Sequence, residues 1–221
     1  MAQGKGNDSA KDAAKDSYQV PALKPGQFHV NEIVIKRSRF ITTIAHTPSV
    51  DEAKAFIEQV SLEYKDARHN CFAFNATAPG STAFCGCSDD GEPKGTAGQP
   101  MLNVVLHCGV GELTAVVTRY FGGVLLGTGG LVKAYQGSVQ EALQTLPVTE
   151  RMIAARMSIG LEHRYIPKLQ HMLPDFRATV VKENYAEIAY FDIVLPVHEA
   201  DNLERVLVDM TKGSLKIIAR T

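Results

Sequence analysis

A chain of 221 residues, 45% hydrophobic and 21% charged, is neither disordered nor fibrous; it has room for one large domain or two small ones and needs no disulfide staples. Lys and Arg number 23 against 24 Asp and Glu, a net of -1, so no global basic field recruits nucleic acid and contact with RNA requires a local patch. No apolar run reaches the roughly 20 residues of a membrane span and the start lacks a signal-peptide core, so a cytoplasmic chain with no membrane partner is expected.

Residues 1–17 are Lys, Asp, Ala, Gly and Ser without hydrophobic period and read as a disordered tail. Between 30 and 47, two β-rich stretches (32–35 and 40–45) flank Lys36-Arg37-Ser38-Arg39, a hairpin with a basic tip. Ser49-Val50-Asp51-Glu52 is a capping box, and Val50, Ala53, Phe56, Ile57 and Val60 continue it as a helix to about Leu62. Residues 71–77 read as a strand, 78–100 as a long loop rich in Gly, Asp and Pro, and 101–108 as a short buried helix. The β-branched run at 112–120 reads as a central strand. Glycines 122, 123, 127, 129 and 130 form a second special loop. A helix over 128–146 then places Leu131, Val132, Tyr135, Val139, Ala142, Leu143 and Leu146 on one face, and Pro147 stops it.

From Thr149 the pattern changes. A strand at 152–162 leads to a short helix at 164–173 with Tyr165, Ile166, Leu169 and Leu173 inward. Strands at 176–184 and 187–195 flank a tight turn, a helix at 196–210 ends at Gly213, and 215–219 is the last strand. The order βαββαβ is the ferredoxin-like split unit. The expected organisation is α+β with domains at 18–147 and 148–221, parting within 145–151.

Two long segments carry a family resemblance: Asp89-Asp90-Gly91-Glu92-Pro93-Lys94-Gly95-Thr96-Ala97-Gly98-Gln99-Pro100 and Arg119-Tyr120-Phe121-Gly122-Gly123-Val124-Leu125-Leu126-Gly127-Thr128-Gly129-Gly130-Leu131-Val132. With Arg68-His69-Asn70-Cys71 and Lys36-Arg37-Ser38-Arg39-Phe40, the chain from about residue 20 onward resembles the YigZ/IMPACT family in its bacterial form. That resemblance implies an N-terminal domain of the ribosomal-protein α+β type, also seen in GHMP kinases and in domain IV of elongation factor G. It implies a ferredoxin-like C-terminal domain similar to domain V of that factor. The eukaryotic members restrain a translation-regulating kinase through an extra N-terminal protein-binding domain. This chain has a short polar tail there, so that mechanism is not carried over, and the resemblance transfers no catalytic activity.

The chemistry suggested by the two segments leaves alternatives open. Gly122, Gly123, Gly127 and Gly129 lead to a helix N-terminus, where unpaired N–H groups favour an anion; Thr128 is a candidate cap, and Arg119 and Lys133 are candidate cations. The same glycines also serve a strand turning tightly onto a packed helix. The segment lacks a Gly-Lys-Ser/Thr ending and is no Walker-type NTPase. Asp89, Asp90 and Glu92 suit either a divalent cation or, as favoured here, a structural role, accepting hydrogen bonds from loop amides or pairing with Arg119 or Arg68, because Gly91 and Pro93 stand where further oxygen ligands belong. Gly95 and Thr96 complete that loop face. His69 has the chemistry of a general base, yet no Ser or Cys nucleophile can be set beside it. Cys71, Cys85, Cys87 and Cys108, with His69 and His107, lack zinc-finger spacing and read as reduced thiols, so neither metal nor cofactor is expected.

Three functions follow. The first is a non-catalytic module that binds RNA or the ribosome, through Lys36, Arg37, Arg39 and the glycine loop. The second is an enzyme or binder of a small phosphorylated ligand (nucleotide or sugar phosphate), and the third a regulator docking a protein partner. Residues 89–100 and 119–130 are expected side by side.

Overall fold

The computed structural model describes residues 17–221, which form two compact units parting between Arg151 and Met152. The expected tail at 1–17 lies outside the described residues except for Ser17, which opens a strand, β1 (Ser17–Pro21). Among the described residues no helix is long and apolar enough to cross a membrane.

The first unit is a three-layer α+β structure. Strands β2 (His29–Ile35), β3 (Ser38–His46), β4 (His69–Asn75), β5 (Cys85–Ser88) and β6 (Leu113–Tyr120) form one sheet in the order β2-β3-β6-β4-β5. Every neighbour in it is antiparallel. Helix α1 (Val50–Glu63) starts at Ser49, whose Oγ accepts from the Glu52 N–H at 3.2 Å and donates to the Glu52 carboxylate at 2.8 Å. It covers one face through Ala53, Phe56 and Val60 against Ala45, Phe74 and Val116. Helices α2 (Gly98–His107) and α3 (Thr128–Gln144) cover the other, where Phe40, Ile44, Met101, Leu113, Val117, Tyr135 and Val139 form the main core. Covered on both faces, β6 is buried nearly throughout, its polar Thr114, Thr118 and Arg119 included, as befits a central strand.

Two expectations change here. The stretch 78–100 is not one irregular loop: β5 pairs with β4, and α2 begins at Gly98. A four-residue strand of Cys-Gly-Cys-Ser is too short and small to announce itself by period. The chain also parts later than 147, because β7 (Val148–Met152) pairs with β1 and Arg151 hydrogen-bonds Glu112, a buried carboxylate that also accepts from Tyr18 at 2.7 Å and meets His46 at 2.8 Å.

The second unit is a four-stranded sheet, order β11-β8-β10-β9, from β8 (Ala154–Leu161), β9 (Thr179–Tyr185), β10 (Ala189–Pro196) and β11 (Lys216–Arg220). Ala155, Met157, Ile159, Leu161, Phe191, Ile193 and Leu195 alternate inward against α4 (Ile166–Met172) and α5 (Ala200–Met210). The expected helix at 196–210 begins at Ala200 instead, after a 3₁₀ turn that leaves Val197 40% exposed. Strand β9 begins three residues later than expected, since Phe176 is buried in a 3₁₀ turn closed by Arg177 at φ +50°.

Candidate functional site

The acidic segment is satisfied by its own chain. Burial alone would raise the Asp89 carboxyl, but N–H groups of Gly95 (2.7 Å), Gly98 (2.8 Å) and Ala97 (3.0 Å) outweigh that and hold it below the usual carboxylate range. Asp89 thereby caps α2 from a distance, where the Ala97 side chain offers nothing. Asp90 accepts from the Asn70 N–H at 2.6 Å, and its carbonyl accepts from His69 Nδ1 at 2.7 Å, which leaves Nε2 of a neutral His69 ring as an acceptor. Glu92, 8% exposed, accepts on one oxygen from Arg119 Nη1 (2.6 Å) and the Tyr135 hydroxyl (2.8 Å). Burial pushes the Tyr135 hydroxyl well up, so it remains a donor. Buried Thr96 donates to the Pro93 carbonyl at 2.7 Å and closes the loop. Among the described residues no three His, Cys, Asp or Glu are placed to hold a metal ion. All four cysteines are free thiols; Cys71 donates to the Asp89 carbonyl at 3.0 Å, and burial pushes it up to about 12, too high for a thiolate at neutral pH.

The glycine segment is left open. It leaves β6 across the β2–β3 hairpin tip, where Lys36 and Arg37 take φ +46° and +68°, the left-handed backbone that a two-residue hairpin of type I′ requires. Gly122 crosses this tip so closely that a Cβ would lie 2.0 Å from the Arg37 carbonyl, and its N–H donates to Ser38 Oγ at 3.2 Å. The tip is thus Lys36-Arg37, with Arg39 inside β3. Gly127, at φ +72°, is the N-cap of α3 and no side chain caps it. Thr128 is the first helical residue and not the expected cap, because the left-handed approach falls on the residue before it. Where a Cβ would stand at Gly123, Gly127 and Gly129 there is open space.

Of the expected cations, Lys36 and Arg37 stay exposed beside Gly122. Lys133 is exposed on the side of α3 away from Leu131 and Tyr135. Arg39 is exposed but gripped by Glu32 at 2.8 and 3.0 Å, with its guanidinium 5.4 Å from the Tyr120 ring centroid. Arg119 does not serve as a free phosphate ligand: strand alternation aims it at the α2–α3 side, where Glu92 takes it, and only 9% of its side chain is exposed.

The two segments meet at this Arg119–Glu92 pair, in a cleft of about 250 Å³ lined by Arg68, His69, Gly91, Glu92, Pro93, Arg119, Phe121 and Leu125. The Arg119 guanidinium lies 5.6 Å from the ring centroids of both Phe40 and Phe121, and its Nε is buried without a partner. Phe121 is 49% and Leu125 83% exposed. Sequence reasoning names neither as a site residue. The one signal is a pair of large apolar residues inside a glycine-rich segment, and nothing in a sequence separates such residues from core.

A family model described as the Impact N-terminal domain matches residues 36–143, which hold the hairpin tip and both segments. The chain is 43% identical over 185 residues to the IMPACT family member YigZ of Escherichia coli (strain K12), covering 84% of this chain and 91% of that one. It is 34% identical over 187 residues to the IMPACT family member YvyE of Bacillus subtilis (strain 168), 85% of each chain. A solved structure described as the crystal structure of an hypothetical protein is 41% identical, with a TM-score of 0.68 over 92% of this chain and 97% of that one.

Proposed function

The chain belongs to the IMPACT family, and from that premise we propose that it is a non-catalytic, cytoplasmic factor associated with translation that binds RNA or the ribosome. One observation carries the reading. Two exposed cations without an ion pair among the described residues, Lys36 and Arg37, occupy left-handed positions that ordinarily go to Asn and Gly, directly against a glycine segment with open space at Gly123, Gly127 and Gly129 and no side-chain cap at its helix N-terminus. Cations, free N–H groups and the positive end of a helix are what a phosphate backbone recognises. With a net charge of -1, this local patch supplies the electrostatic attraction, and the salt dependence is that of a few phosphate contacts.

The strand order β11-β8-β10-β9 supports a ferredoxin-like second unit, similar to domain V of elongation factor G, and the first unit is read as the ribosomal-protein type. A second reading, a binder of a small phosphorylated ligand, draws support from the cleft beside the patch and from the unpartnered Arg119 Nε. Co-sedimentation with ribosomes beside a thermal-shift screen of phosphorylated metabolites separates them. Ribosome association without a metabolite shift supports the first reading; a metabolite shift without association retires it.

A further inference from the structure

We propose that the cleft between the two segments takes one nucleoside monophosphate unit, its base laid on Phe121 and its phosphate at Arg68. The inference deepens the RNA reading and rests on it for the strand that delivers the unit; a free nucleotide presents the same chemistry.

Size comes first. At about 250 Å³ the cleft lies just under the usual span of small-molecule pockets, so it has room for no more than a single nucleotide unit. Charge narrows it further. Arg119 and Glu92 cancel at 2.6 Å, which leaves Arg68, exposed and without an ion pair among the described residues, as the net charge of the lining. One cation matches one phosphodiester or monophosphate rather than a triphosphate.

The flat wall identifies the rest. Phe121 is half exposed, yet it is held in place: the Arg119 guanidinium lies 5.6 Å from its ring centroid, and Arg119 is itself pinned by Glu92 and by Phe40 on buried β3. A fixed, exposed aromatic ring beside a cation is the platform on which unstacked bases are bound. Leu125 and Pro93 widen the apolar surface around it. His69, locked by the Asp90 carbonyl with Nε2 as acceptor, complements a hydroxyl or amine donor, which ribose and base edges both carry.

The test uses the full chain with two probes, adenosine 5′-monophosphate and an eight-nucleotide oligoadenylate, against wild type, Phe121→Leu and Phe121→Tyr. Unfolding midpoints confirm that each variant is folded. Both probes are expected to bind wild type, Phe121→Leu to weaken both by at least about fivefold, and Phe121→Tyr to restore them, since a ring and not bulk is what the base needs. The salt slope of oligonucleotide binding stays unchanged in Phe121→Leu, because no phosphate contact is removed. Oligonucleotide binding indifferent to Phe121 overturns the base platform and leaves the RNA reading standing. Monophosphate binding that depends on Phe121, without oligonucleotide binding, overturns the RNA reading and supports the cleft. Binding of neither probe overturns both.

Discussion

Residues 89–98 and 122–130 look alike in sequence, glycine-rich stretches leading into a helix, but they handle their polar groups in opposite ways. The first closes on itself: Asp89 caps α2, Asp90 ties to β4, and Glu92 neutralises Arg119. The second leaves the start of α3 uncapped and the space around Gly123, Gly127 and Gly129 open, beside two exposed cations. A carboxylate that already accepts from its own backbone is scaffold; a backbone with donors to spare is where a ligand's acceptors go. That difference separates the part that builds the site from the part that uses it.

Breaking the scaffold costs most. Glu92→Ala leaves Arg119 buried and unpaired and is expected to destabilise the first unit by about 3–5 kcal/mol, read by chemical denaturation. Gly122→Ala drives a Cβ into the Arg37 carbonyl, a backbone clash that no rotamer relieves, and about 1–3 kcal/mol is expected with the hairpin tip displaced in amide spectra. Asp89→Ala removes the borrowed cap of α2, about 1–2 kcal/mol. Because the folded Asp89 carboxyl lies below its unfolded value, its contribution is full above the unfolded value near pH 3.8 and fades as the pH falls through the folded one. An acid titration should therefore show wild type and Asp89→Ala converging at low pH. The smallest effect belongs to the open segment. Lys36→Asn with Arg37→Gly installs the turn pair favoured at positive φ and is expected to gain roughly 0.5–1 kcal/mol.

Much of this is legible in the sequence. The capping box at Ser49, the β-branched run of β6 and the apolar face of α3 each follow from local period, and the alternation in β8 and β10 does as well. The rest depends on partners distant in the chain. Strand β5 has no period of its own and exists because β4 offers an edge. Arg119 reads both as a candidate phosphate ligand and as a partner for the acidic segment, and only the fold, which brings Glu92 to it from 27 residues away, decides between the two. Thr128 has the composition of a cap, but the left-handed turn falls on Gly127. Phe121 becomes a wall of the cleft only because β6 ends beside the loop that follows β5.

The most direct test of the open segment as ligand surface is the salt dependence of RNA binding by the Lys36→Asn/Arg37→Gly variant. The account predicts a chain that is more stable than wild type yet binds single-stranded RNA more weakly. Its slope of log affinity against log salt should be shallower by about 1.4, or about 0.7 for each phosphate that is no longer neutralised. A variant that gains stability and binds RNA with the wild-type slope would contradict it.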